Sequence, residues 1–364
     1  SAYFLHSVMA VQGQGTLAQQ PLNVQSQIPP AFILAVDDSG SMTFETLFPG
    51  QDGQACWNPT GGFFNADGSL RTVAGSGGAC GYNHLIPYPG HRIDANRHAI
   101  PPLPAFGFAR SHWFNPSYYN PGETYLPWLD SEGRPYGRTT ANPEGNASIT
   151  ATRVDPRNAT PTIDLFATRE ETDANNRFRV LNGMVIPANT RYYKTANCGG
   201  LANGNNNAWR SVNSNQTVTA NCQIGISYYP ATFYLPEAVS VPAGFKTASR
   251  VLVNNACGAG CNLYRYEIKR DNYTSDAAFE AARQNFANWF SFYGNRNRAM
   301  IAGMTRSLSD VKNMRVGYFR INSRTASVAM RNMNSPGEKL SLYTDLTALP
   351  ANGGTPNLFA VDHI

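Results

Sequence analysis

Charge is scarce in this chain. Only 15% of its 364 residues are Asp, Glu, Lys or Arg, and the net charge of +5 is carried without any Lys/Arg run. Nucleic acid demands a dense cationic stripe, so a polyanion partner is argued against. No apolar stretch approaches the roughly 20 residues that a membrane span requires. Cys-x-x-Cys is missing, no His stands at zinc-finger spacing from a cysteine, and Gly-x-Ser-x-Gly does not occur. Zinc modules and the common serine-hydrolase elbow therefore have no footing here.

What is present is turn-forming and aromatic sequence, with 32 Gly, 24 Pro, 18 Tyr and 19 Phe. The six cysteines fall as three sequence neighbours, Cys56/Cys80, Cys198/Cys222 and Cys257/Cys261. Six cysteines allow 15 connectivities, of which local pairing is the simplest. Disulfides in an oxidising compartment are the expectation. The chain opens at Ser1 with no Met, as a processed secretory protein or an expression product does.

The most informative stretch is Ala31-Phe-Ile-Leu-Ala-Val36, six apolar residues that run into Asp37-Asp38-Ser39-Gly40-Ser41. An unbroken apolar run suits a strand buried on both faces of a parallel sheet, and Pro29-Pro30 sets its start. In extended chain every second side chain points the same way, so Asp37, Ser39 and Ser41 present three oxygens together. That is the carboxyl end of the strand, where open α/β sheets bind ligands. Oxygen-only donors suit Mg²⁺, Ca²⁺ or Mn²⁺. Hydroxyls carry no charge, so a cation held mostly by them favours a carboxylate from a partner, which is adhesion chemistry. The plainer alternative is a Ser-rich turn that caps the next element.

Further along, periodicity is lost from about Phe48 to Ser275, where Asn-Pro, Pro-Gly, Asp-Gly and Gly-Gly signals recur. A packed irregular loop is expected over Phe114 to Trp128. A strand is expected over Ile224 to Leu235, and another where Tyr264, Tyr266 and Ile268 alternate with polar residues. Helical spacing of Phe279, Phe286, Trp289, Phe290 and Tyr293, continued by Met300, Ile301, Met304 and Leu308, predicts one long helix from Ser275, relaxed at Gly294. Met314 to Ile321 reads as a strand and Ala326 to Met333 as its hairpin partner. Gly353-Gly354-Thr355-Pro356 then opens a helix. Residues 1–20 form an N-terminal arm, 21–48 the first strand and metal motif, 49–274 an insertion, and 275–364 the remaining frame. Gln20 to Val24 suggests a short edge strand. The whole reads as a doubly wound α/β domain with a very large insertion after its first strand.

In this order the chain resembles a von Willebrand factor A domain, whose metal-ion-dependent adhesion site joins Asp-x-Ser-x-Ser to a Thr from a later loop. Asp37, Ser39 and Ser41 match the first element and Thr355 the second. More narrowly, it is similar to the N-terminal region of the PilY/PilC family of type IV pilus tip proteins. The likeness lies in Val36-Asp-Asp-Ser-Gly-Ser-Met42, Asn115-Pro-Ser-Tyr-Tyr-Asn-Pro121, Tyr125-Leu-Pro-Trp128, Arg283-Gln-Asn-Phe-Ala-Asn-Trp-Phe-Ser-Phe-Tyr293, Met314-Arg-Val-Gly-Tyr318 and Gly353-Gly-Thr-Pro356. The resemblance implies a secreted protein that passes through the periplasm to the pilus tip at the bacterial surface. There it contacts minor pilins, supports pilus biogenesis and twitching motility, and attaches to a host or abiotic surface. It also implies a last metal-site Asp within Thr-Asp-Gly on a further strand, and a C-terminal β-propeller, neither of which lies within these 364 residues. Asp362 is a poor substitute, so a site one carboxylate short is expected to bind its cation weakly.

Two other readings stay open. Trp57, Trp113, Trp128 and Trp209 give the insertion the means to recognise a host protein or glycan without metal, against the plainer expectation that they fill a disulfide-stapled core. The histidines His6, His84, His91, His98, His112 and His363 have no framing motif for catalysis, and an enzyme is not expected. Four of them, at 84, 91, 98 and 112, make a second metal site conceivable, at spacings that match no standard ligand pattern.

Overall fold

The computed structural model describes residues 29–88, 96–194, 198–202, 207–323 and 327–356. The expected arm at 1–20, the edge strand near 20–24 and the helix after Thr355 lie outside the described residues. So do His6, His91 and His363.

The fold is mixed α/β with several small sheets. The first strand, β1 (Ala31–Val36), pairs in parallel with Arg315–Arg320, from Ala31 opposite Arg315 to Val36 opposite Arg320. That second strand pairs antiparallel with Met330–Asn332. The expected strand and hairpin partner are therefore present. Burial of β1 on both faces is not: only Val36 is buried, and Ala31 and Ala35 are exposed. One face, bearing Phe32, Leu34 and Val36, packs on Ile301, Ala302, Leu342 and Leu346 of the following helices. On the other, Ile33 joins a small cluster with Phe319, Ile321 and Val328.

The expected long helix is two helices. In α1 (Asp276–Tyr293) the Ser275 hydroxyl accepts the Ala278 N–H, and Asn295 then caps α2 (Arg296–Ser307) by accepting the Arg298 N–H. Asn supplies a new start that a continuous apolar stripe conceals. Gly294 makes the junction, where an added Cβ would meet the Phe290 carbonyl at 2.4 Å. A third helix, α3 (Pro336–Thr347), buries Leu342, Tyr343 and Leu346 and was not read from the sequence. Its signal is Ser335-Pro-Gly-Glu338, a cap followed by Pro in the first turn and an acid at the third position.

Among the described residues, 49–274 carry five small sheets and an aromatic core shared with Phe286, Trp289 and Phe290 of α1. Disulfides join Cys56 to Cys80, Cys198 to Cys222 and Cys257 to Cys261. Ile224 to Leu235 is not one strand. Cys222–Ile226 and Thr232–Pro236 belong to different sheets, separated where Pro230 removes a ladder donor. Leu263–Glu267 is a strand as expected.

The irregular segment at 114–128 is held by amide side chains of α1. Asn285 accepts the Tyr125 N–H at 2.7 Å and donates to the Glu123 carbonyl at 2.7 Å. Asn288 donates to the Tyr125 carbonyl and accepts the Ala147 N–H. Trp128 donates its indole N–H to the Phe292 carbonyl at 2.7 Å. Trp57 and Trp128 are buried, whereas Trp113 is 60% exposed. No described helix is long and apolar enough to cross a membrane.

Candidate metal centre

Asp37 stands one residue beyond β1, and its Oδ1 accepts the Ser39 N–H at 2.8 Å. Ser39 is buried and opens a short 3₁₀ turn, Gly40–Thr43, yet its side chain makes no capping bond. The Ser39 hydroxyl instead lies 3.1 Å from that of Ser41. The capping alternative for the Ser-rich turn therefore fails: the hydroxyls face each other, not the turn amides. Three of the four residues read as ligands are thus gathered at the carboxyl end of β1.

The chain after α3 returns to this point. Asn297 donates to the Leu349 and Pro350 carbonyls, and Arg157 donates to Leu349 at 2.6 Å. Ser39 then bridges Gly353 in parallel, with the Gly40 N–H on the Gly353 carbonyl at 2.8 Å. The N–H groups of Asn352 and Gly353 both reach the Asp38 carbonyl. Thr355 follows two residues later and is exposed; the contacts that hold this loop at the site run through Asn352, Gly353 and Gly354.

Alternation turns Asp38 away from Asp37 and Ser39. Asp38 is buried, and its Oδ1 accepts from the Asn322 backbone N–H at 3.1 Å and from Asn322 Nδ2 at 2.8 Å. Asn322 Nδ2 also donates to the Gly354 carbonyl at 2.7 Å. Arg320 stands 3.9 Å from Asp38 Oδ2, and the exposed Arg97 reaches within 3.3 Å of where a Cβ on Gly40 would sit. Asp38 and Asn322 were not singled out from the sequence: Asp38 hides in an acidic doublet, and Asn322 is a lone amide after a strand.

The donor set was tested against a divalent cation. Adjacent ligands of an octahedral Mg²⁺ at about 2.1 Å stand about 3 Å apart, close to the 3.1 Å between the two serine hydroxyls. One carboxylate and hydroxyl oxygens are hard donors, and they fit Mg²⁺, Mn²⁺ or Ca²⁺. Asp37, Ser39, Ser41 and Thr355 are the residues that would hold the ion. Asp38 has its carboxylate committed to Asn322. Among the described residues no group of three or more His, Cys, Asp or Glu side chains converges, and His91, one of the four residues of the conceivable second site, lies outside them. His84 and His98 are buried against Phe44 and Tyr82. No protein-family model, curated protein or solved structure matches the chain.

Proposed function

We propose that this chain is the von Willebrand factor A region of a PilY/PilC-type protein, an adhesin and assembly factor of the type IV pilus tip. A doubly wound sheet extended beyond the three described strands belongs to this reading. The observation that carries it is the gathering of Asp37, Ser39 and Ser41 at the end of β1, with the Gly353–Thr355 loop laid against them. A cation held by one carboxylate and hydroxyls keeps net positive charge and seeks an acidic group on its partner. Minor pilins and a host or abiotic surface are the partners in this reading. The three disulfides fit assembly in an oxidising compartment such as the periplasm or the cell surface.

The test is Asp37→Ala combined with Ser39→Ala in the intact protein. Loss of cation-dependent attachment or of piliation is expected, and both left unchanged would reject the reading. The exposed Trp113 keeps one alternative in view, recognition of a host protein or glycan by the insertion. Trp113→Ala would then abolish attachment with the metal motif intact.

A further inference from the structure

Asn322 lies outside every motif, yet it touches both halves of the candidate site. Its Nδ2 bonds Asp38 Oδ1 at 2.8 Å on the β1 side and the Gly354 carbonyl at 2.7 Å on the loop side. A second observation is steric. A Cβ on Gly353 would stand 2.3 Å from Asn322 Cγ and Nδ2. The amide therefore lies directly across the Gly353 Cα, and any side chain at 353 would have to displace it. Gly353 itself is bonded to Asp38 and to Gly40 through its backbone.

We infer that Asn322 is the positioning residue of the site: it clamps the Gly353–Gly354 segment onto Asp38 and thereby sets where Thr355 stands relative to Ser39 and Ser41. The consequence for cation affinity rests on the proposed metal centre; the clamp does not. Replacing Asn322 by Ala removes both Nδ2 bonds but keeps the backbone N–H on Asp38. Asn322 is itself exposed, so the substitution opens no cavity in the core.

Two measurements on the full chain test this. Hydrogen exchange in Asn322→Ala should accelerate at the Asn352 and Gly353 amides while Val316–Phe319 stays protected. Mn²⁺ titration should show weakened affinity, because the loop that carries Thr355 loses its anchor. A steric arm separates a clamp from general loosening. Gly353→Ala should accelerate exchange in the parent chain but add little in the Asn322→Ala background, where the new methyl has room. Unchanged exchange at Asn352 and Gly353 in Asn322→Ala overturns the inference. So does a Gly353→Ala effect of the same size in both backgrounds. Accelerated exchange in a parent chain that binds no Mn²⁺ upholds the clamp and rejects only the metal centre.

Discussion

Ser39 and Gly353, 314 positions apart in the chain, face each other as a parallel bridge, and the Gly40 N–H closes it on the Gly353 carbonyl at 2.8 Å. This contact gives the first-strand motif and the Thr355 loop one geometry. It also sets what each side chain is worth to fold or to site.

Glu45 sits four residues after Ser41 and is fully buried. Burial raises its carboxyl to about 7, although it accepts the Leu85 and Ile86 N–H groups and feels the charges of Arg298 and Arg110. A folded pKa above the unfolded value means that stability is fully present below about 4.5 and falls as pH rises toward 7. The expected loss is on the order of 3 kcal/mol across that window. Urea denaturation between pH 4.5 and 8 should show the slope, and Glu45→Gln should flatten it.

Asn288 is the amide on which the irregular segment depends. It serves Tyr125, Asn146, Ala147 and Gln284 at once and is buried. Asn288→Ala strands the Ala147 N–H and the Tyr125 carbonyl, so a destabilisation of about 3 kcal/mol is expected in chemical denaturation. A change under about 1 kcal/mol would mean that water replaces the amide at no cost.

The disulfides differ in the loop each closes. Cys56–Cys80 and Cys198–Cys222 each span 24 positions, whereas Cys257–Cys261 spans four. On chain-entropy grounds, removal of either long bridge by paired Cys→Ala should cost about 3.5 kcal/mol and removal of the short one about 2. Melting of the three double variants checks the ranking.

The sequence was most legible where one strong local rule acted alone. The Ala31–Val36 strand, the Arg315–Arg320 strand and the local cysteine pairs followed from hydrophobic runs, turn signals and proximity. Helix boundaries were less legible: Asn295 interrupts an aromatic stripe that continues in register, and α3 is only weakly amphipathic. Most strands of residues 49–274 are two to five residues long, too short for alternation to register. Of the proposed site, the four residues put forward as oxygen donors were readable from spacing and family likeness. Asn322 was not, because its role depends on a loop that returns 32 residues later in the chain.

The cation is the centre of the proposal, and Mn²⁺ binding read by water-proton relaxation on the parent chain and on Asp37→Ala probes it most directly. One saturable site is expected in the parent, with a dissociation constant of about 10⁻⁴–10⁻³ M as befits a site with a single carboxylate, and none in Asp37→Ala. Equal relaxation enhancement in the two proteins, or no saturable binding in the parent, would contradict a metal centre at the end of β1.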